Sequence, residues 1–357
     1  MKGLILSGGH GTRLRPLTHT GPKQLIPLAN KPSILYCLED LRDAGITNIG
    51  VTLGDILPEK VKELLGDGST YGVKVTYIVQ GYPSGIAHAI LCAESFVGGD
   101  PFCVYLGDNV LKGGIRPMVE EFLAARHDAE VMLCHVPNPE IFGVAELDSN
   151  GDIVSLVEKP KAPRSDLALV GIYLLRENIF PIIRGLKPSW RNELEITEAI
   201  ENLRKQGGRI KAHIVKGWWK DTGKPEDILE ANRLLIDDLE RRIEGSVEDG
   251  ARVEGRVRVG PGTSVKSGSV IRGPSIIGRD CVIGPDTYVG PYTSIGDRSH
   301  IVRADIESSI VIGECEIEGT NKIINSLIGR HTTIRSAGNR LPKGHQLIVG
   351  ENSTLVL

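Results

Sequence analysis

Apolar residues along the first half of the chain come in short blocks whose period keeps changing. Leu4-Ile5-Leu6 is a brief unbroken run of the kind a buried strand makes, and residues 33–44 space their apolar positions for an amphipathic helix. The alternation continues with a strand over 48–53, a helix over 59–65, a strand over 73–79 and a helix over 87–94. Residues 102–106 then form a fully apolar strand that ends at Gly107-Asp108-Asn109. Such alternation predicts an α/β domain on a mostly parallel sheet with helices on both faces. Turn residues at 148–152 predict a hairpin, with strands at 154–157 and 211–215 beyond it. A helix is expected from 225 to 243, where Ile228, Leu229, Leu234, Leu235, Leu239 and Ile243 fall near helical spacing.

Glu244-Gly245-Ser246 reads as a linker, and after it the rhythm is different. Val253, Val259, Val265, Ile271, Ile277, Ile283, Val289, Ile295 and Ile301 fall six residues apart without a miss, and Gly260, Gly278, Gly284, Gly290 and Gly296 directly follow five of them. After Ile301 the frame slips but persists in the pairs Ile306/Ile312, Ile317/Ile323 and Ile328/Ile334. A period of six predicts a β-helix, in which each apolar residue stacks into one continuous core. Residues 346–349 and 354–357 are expected to add short strands or an end cap. Two domains follow, 1–244 and 245–357, and a chain of 357 residues is long enough to bury a core in each.

Composition narrows the function classes. Lys+Arg 42 against Asp+Glu 45 leaves a net charge of -3, which gives no footprint for nucleic acid or an anionic membrane. Local basic clusters should therefore mean local phosphate. No apolar run approaches membrane-spanning length and no signal peptide is expected. The six cysteines lie far apart with no C-x-x-C and mostly within apolar stretches, so they read as reduced core residues of a cytoplasmic protein.

The candidate chemistry begins directly after the first strand. In Ser7-Gly8-Gly9-His10-Gly11-Thr12-Arg13-Leu14-Arg15-Pro16 the glycines let the backbone turn sharply and bring N–H groups close to an anion. Arg13, Arg15 and the later Lys23 add fixed positive charge suited to a polyphosphate. A Walker A loop is excluded because no Gly-Lys-Ser/Thr follows, and the dinucleotide fingerprint fails because Leu14 stands at the third glycine position. Asp108, at the end of an apolar strand, reads either as a turn or cap residue or as a magnesium ligand; the second reading needs another carboxylate, for which Asp221 in Trp218-Trp219-Lys220-Asp221-Thr222-Gly223 is the candidate. Gln80, in Gln80-Gly81-Tyr82-Pro83-Ser84-Gly85, can pair with a base edge or belong to a plain turn. In Glu158-Lys159-Pro160, a carboxylate suited to sugar hydroxyls stands beside a cation suited to a sugar phosphate.

Taken in order, the glycine loop, Lys23, Gln80, Leu-Gly-Asp-Asn at 106–109, Glu-Lys-Pro, Glu-Leu-Glu-Ile-Thr at 193–197 and Trp-x-Asp-Thr-Gly at 219–223 resemble the signature of the sugar-1-phosphate nucleotidylyltransferases. With the hexapeptide tail, the pattern resembles the long thymidylyltransferase branch over essentially the whole chain. Departures are mild: Ser7 for alanine, Phe142 for tyrosine and Asn192 for glycine. The resemblance implies a Rossmann-like catalytic domain followed by a left-handed β-helix. The implied reaction joins dTTP and α-D-glucose 1-phosphate into dTDP-glucose and pyrophosphate with Mg2+. It implies catalytic roles for Arg13, Lys23, Asp108, Lys159 and Asp221, and a metal held by Asp108 and Asp221. Nucleotide contacts are implied for Leu6, Gly8, Gly9, Gly11, Thr12, Arg13, Lys23, Gln24, Gln80, Pro83, Gly85 and Asp108. Sugar-phosphate contacts are implied for Asn109, Gly143, Glu158, Lys159, Leu169, Val170, Tyr173, Glu193 and Trp219. A homo-oligomer (dimer-based, trimer or tetramer) is expected, without nucleic-acid or membrane partners. The rival readings are a guanylyl- or uridylyltransferase, a silent nucleotide-sugar sensor, and an acyltransferase acting through the β-helix. Intact Arg13, Lys23, Asp108, Lys159 and Asp221 oppose the sensor. The coils around His300 and His331 lack the large insertion an acyltransferase would need.

Overall fold

A computed structural model describes residues 1–319, 322–336 and 349–356. It divides into two compact units. The first holds Met1–Gly11, Thr20–Leu25 and Ser33–Asp221; the second holds Thr12–His19, Ile26–Pro32 and Thr222–Leu357.

The first unit is built on a nine-stranded sheet. Its strands are β1 (Lys2–Ser7), β2 (Asn48–Gly54), β3 (Lys74–Gly81), β4 (Phe102–Leu106), β6 (Ala129–His135), β7 (Gly143–Leu147), β8 (Ile153–Glu158), β9 (Leu167–Leu175) and β10 (Ile210–Ile214). A separate pair joins β5 (Asn109–Leu111) to β11 (Trp219–Asp221). The main path runs β8-β7-β9-β4-β1-β2-β3, with β6 pairing β9 and β10 pairing β6. Strands β4, β1, β2 and β3 are mutually parallel, as the alternating pattern requires. Strand β9 departs from that pattern by running antiparallel to both β4 and β6. The central strands are unbroken apolar runs because both faces are covered. Leu4 and Leu6 pack into one buried cluster and Ile5 into the other; Phe102 and Val104 alternate in the same way with Cys103 and Tyr105. Helices α1 (Ser33–Asp43), α2 (Glu59–Leu65), α3 (Ile86–Cys92), α4 (Arg116–Ala124) and α5 (Ile196–Lys205) cover these faces. The first residue of α1 ties two loops together: the Ser33 hydroxyl lies 3.0 Å from the Gln24 carbonyl and 3.2 Å from that of Gly107.

The second unit contains three stacked parallel sheets, the three-sided build expected of a hexapeptide β-helix. Val259, Ile277, Ile295, Val311 and Ile328 form one apolar column. Val265, Ile283, Ile301, Ile317 and Ile334 form the second, and Val253, Ile271, Val289, Ile306 and Ile323 the third. Ile312 was the expected member of the pair Ile306/Ile312, but Val311 takes that inward place. The steps from 301 to 306 and from 306 to 311 are five residues instead of six, so each of these corners is one residue shorter.

The last helix, α6, spans Pro225–Asp237 and stops six residues short of the expected end. Ile243 is a coil residue instead: Arg242 and Ile243 pair with Arg258 and Val259. The expected linker is a corner of that coil, with the Glu244 amide donating to Val259 O at 2.9 Å and the Ser246 amide to Thr263 O at 2.9 Å. One side chain fastens α6 within this unit. Asn232 is fully buried; its Oδ1 accepts from the Ala29 amide and the Ser294 hydroxyl, each at 2.8 Å. In the tail, residues 349 and 354–356 carry no strand, and the rest of the expected tail strands lies outside the described residues. All six cysteines are free thiols, and no helix among the described residues is long and apolar enough to cross a membrane.

Candidate active site

The glycine loop leaves β1 at the carboxyl end of the sheet, and its shape is dictated by what lies against it. A Cβ on Gly8 would overlap Oε1 of Gln80, and one on Gly54 would lie 2.5 Å from the Gly8 carbonyl. Gln80 comes from the end of β3, so the candidate base-reading amide sits directly over the candidate phosphate loop. Gln80 Nε2 also reaches the Gly85 carbonyl at 3.3 Å. Tyr82 meets His10 edge-on, and His10 Nε2 lies 2.9 Å from Asp55 Oδ1, which fixes the loop's far side.

Lys23 stands on a short turn, with its stem 3.6 Å from where a Cβ on Gly9 would be and its ammonium paired with Asp108. Burial alone would raise the Asp108 carboxyl. The Lys23 ammonium outweighs that, aided by hydrogen bonds from Lys23, the Asp108 amide and Asn109, and holds it below its ordinary value. Asp221 enters from β11, whose register sets Asp221 opposite Asn109. Asp221 is thus one half of this rung, and Asp108 directly precedes the other half in the chain. They can offer hard oxygen ligands to a divalent cation there. Gln24 is buried next to Lys23, and its Oε1 is without a protein partner.

Asn109 holds this rung together. It is buried; its Nδ2 donates to Asp108 at 3.1 Å, while its Oδ1 accepts from Trp219 Nε1 at 2.6 Å and from the Gly171 amide at 3.3 Å. Trp219 is buried and packs edge-on against Phe142 at 5.5 Å.

The sugar-side residues gather around Glu158. The Thr197 hydroxyl donates to Glu158 Oε2 at 2.7 Å, and a Cβ on Gly143 would lie 2.7 Å from that hydroxyl oxygen. Lys159 Nζ is 3.9 Å from Glu158 Oε1, on a residue with φ of +44°. Burial raises the Glu158 carboxyl, with the Glu195 charge adding to it against the Thr197 hydrogen bond and the Lys159 and Arg191 charges. Tyr173 is also raised, by burial and then by the charges of Glu158 and Glu195. Leu169 and Tyr173 belong to one core cluster and Val170 to the other, so Val170 points its side chain through the opposite face of the sheet.

Arg191 was not among the expected site residues. It pairs with Glu193 at 2.8 Å, Glu158 at 3.4 Å and Glu195 at 3.5 Å. Its signal in the sequence was a cation two residues before an acidic pair, which is common on surfaces. The nucleotide and sugar segments are also joined directly. The Leu194 amide donates to Ser84 O at 2.8 Å, and the Ala87 amide to Leu194 O at 3.1 Å, across Gly85 and its neighbour Pro83. Leu6, Gly8, Gly9, Gly11, Lys23, Gln24, Gln80, Pro83, Gly85, Asp108, Asn109, Gly143, Glu158, Lys159, Leu169, Val170, Tyr173, Glu193, Trp219 and Asp221 all fall in the first unit. Thr12 and Arg13 fall in the second, on an exposed turn at Thr12–Leu14.

A glycine loop at the carboxyl end of a parallel sheet, a lysine-paired aspartate beside it and a second polar cluster around Glu158 are the features of an enzyme that handles phosphate groups. Residues 2–238 match the family model described as nucleotidyl transferase, and the chain belongs to that family. It is 53% identical over 100% of both chains to the low-salt glycan biosynthesis nucleotidyltransferase Agl11 of Haloferax volcanii. It is 47% identical to a glucose-1-phosphate thymidylyltransferase of Streptomyces antibioticus, over 99% of this chain and 98% of that one. A solved Bacillus anthracis structure, assigned as a glucose-1-phosphate thymidylyltransferase and holding a sucrose, superposes with a TM-score of 0.63 at 41% identity. That superposition covers 68% of this chain and 97% of the other.

Proposed function

We propose that this chain transfers the thymidylyl group of dTTP to α-D-glucose 1-phosphate, giving dTDP-glucose and pyrophosphate. The observation that carries the reading is the Asn109–Asp221 rung with Asp108 directly before it in the chain, Lys23 paired with Asp108 and lying against the glycine loop. The full-length thymidylyltransferase relative supports the choice of base and sugar.

Both reactants are anions, so neutralisation and alignment are the main tasks. Gln80 would read the base above Gly8, with Gly85 and Pro83 shaping that wall. Lys23 would hold the triphosphate and take up charge on the departing pyrophosphate, the role that the sequence resemblance also implies for Arg13. Asp108 and Asp221 fit Mg2+, whose ligands are carboxylate and phosphate oxygens, and which supplies charge screening at the α-phosphate when bound. Glu158 would accept from sugar hydroxyls while Lys159 holds the attacking phosphate. That phosphate is already ionised, so no general base is required.

The test is a panel of nucleoside triphosphates with glucose 1-phosphate, reading pyrophosphate release. The fastest turnover should be with dTTP, with some from UTP, since one methyl in a pocket is worth about 1–3 kcal/mol. Faster turnover with GTP or ATP would overturn the assignment. Residues 245–357 are further proposed to assemble the chain into a homo-oligomer, because a stack of coils leaves flat faces and ends for other subunits. Light scattering on a chain stopped after Gly245 should give fewer subunits than the full chain; an unchanged number would refute the assembly role.

A further inference from the structure

A buried carboxylate at the other end of the sheet takes no part in that chemistry. Glu130 is the second residue of β6, level with Leu174 of β9 and Lys211 of β10. That is the amino-terminal end of the parallel strands, whereas the crevice lies beyond their carboxyl ends. Glu130 is 0% exposed, yet both oxygens meet imidazoles: Oε1 lies 2.8 Å from His127 Nδ1 and Oε2 lies 2.7 Å from His213 Nε2. Glu121, exposed in the last turn of α4, adds a second carboxylate. One ligand atom from each of Glu121, His127 and Glu130 lies within 4.8 Å of the others. We propose that Glu121, His127 and Glu130 bind a divalent transition ion of the zinc(II) class, with His213 as the outer partner that orients Glu130.

The donor set selects the class of ion. One imidazole nitrogen with two carboxylate oxygens suits zinc and its first-row neighbours, whereas magnesium prefers an all-oxygen octahedron and sheds water reluctantly. Zinc ligands at about 2.0–2.2 Å stand about 3–3.5 Å apart, so the contact between His127 and Glu130 needs only a small opening to admit the ion. The ion takes the place of the proton between them, and in neutral His127 that proton moves to Nε2. His213 stays bonded to the second oxygen of Glu130, as outer partners of ligating carboxylates do.

The turn carrying the ligands is fixed in advance. Arg176 donates to the His127 carbonyl at 2.7 Å and to the carbonyls of Phe122 and Ala125 at 3.2 and 3.1 Å. Asp128, the next residue, accepts from Asn178 Nδ2 and from the Arg209 amide, each at 2.8 Å. Ligands held this way lose little entropy on binding. Three protein ligands leave at least one position for water on the exposed side where Glu121 stands.

The test uses the full-length protein, stripped with a chelator, then titrated with CoCl2 in excess MgCl2, which occupies oxygen-only sites. Cobalt should saturate at one equivalent per chain with a visible d–d band, and ZnCl2 should abolish that band. Glu121→Gln, at an exposed position, should weaken the affinity at least about tenfold, and His213→Gln about 10- to 100-fold. His127→Gln, whose amide can still bond Glu130, should lose the band while the far-ultraviolet circular dichroism is unchanged. Asp108→Asn should retain it, and turnover of Glu121→Gln with magnesium should match the parent. No saturation below about 1 mM cobalt, or an undiminished band in His127→Gln, would overturn the site and leave only a hydrogen-bonded His–Glu–His cluster.

Discussion

Gly85→Ala should weaken both substrates at once, although the residue belongs to the nucleotide segment alone. Gly85 caps α3 with φ of 106° and ψ of 166°, a conformation essentially confined to glycine, and forcing alanine into it costs about 1–3 kcal/mol. There is also no room. The new Cβ would overlap the Leu194 carbonyl oxygen and lie 2.6 Å from the Leu194 nitrogen, and both are backbone atoms that cannot swing aside. Relief requires separating the two segments, which breaks the bonds from Leu194 to Ser84 and from Ala87 to Leu194, each worth about 0.5–1.5 kcal/mol. The penalty is then about 2–6 kcal/mol, or at least roughly 30-fold in kcat/KM. Leu194 stands between Glu193 and Glu195, both held by Arg191, so the sugar side moves with it. Steady-state kinetics with dTTP and glucose 1-phosphate varied in turn should show both kcat/KM values falling together. Gly81→Ala is the control: its φ is +70° but a Cβ there meets nothing within 4 Å, so only backbone strain remains. A loss confined to dTTP, or kcat/KM values within threefold of the parent, would refute the coupling.

Asp108→Asn and Asp221→Asn should each cut kcat by more than about 100-fold while changing the KM for glucose 1-phosphate little, whereas Lys159→Ala should chiefly raise that KM; a near-parental kcat in either aspartate variant would remove it from the cation site. The folded-state carboxyl of Asp108 lies below its ordinary 3.8, so the unfolded chain binds more protons between the two values. The stability from this group is therefore full above pH 3.8 and is lost as the pH falls through the folded value. Urea denaturation of Asp108→Asn should show a shallower acid decline below that point, and a decline parallel to the parent's would contradict it. Asn232→Leu removes the acceptor of the part-buried Ala29 amide and the buried Ser294 hydroxyl, at a cost of about 1–3 kcal/mol for the buried group. The thermal midpoint should fall by several degrees, and an unchanged midpoint would show that water replaces the side chain.

Local order was legible wherever a residue's role repeats in its neighbours. Leu4-Ile5-Leu6 and the run at 102–106 announce strands because burial on both faces leaves no polar alternate positions. The six-residue period announces stacked coils because each coil side presents one inward place, and nine places in a row are filled by valine or isoleucine. The same signals mislead where one residue fits two periods. Ile243 continues the helical spacing of 228–239, yet it pairs beside Val259, and only the packed coils favour the second role. Ile312 and its neighbour Val311 are equivalent as hydrophobes; the shortened corners decide between them.

The site divides along the same line. The glycine loop, Glu158-Lys159 and the two aspartates are visible because their residue types and spacing are unusual. That Lys23 rests on Asp108, 85 positions away, or that Arg191 gathers three glutamates, follows from strand order and register. Asn109 shows the difference within one side chain. Its place after Asp108 suggests a ligand contact; that its oxygen also meets Trp219 and the Gly171 amide follows only from the β5–β11 ladder and β9. Glu130 with His127 and His213 carries no pattern in the sequence, since the three belong to a loop and two strands. Periodicity is written residue by residue into the chain, whereas a partner drawn from another strand exists only once the sheet has set its order.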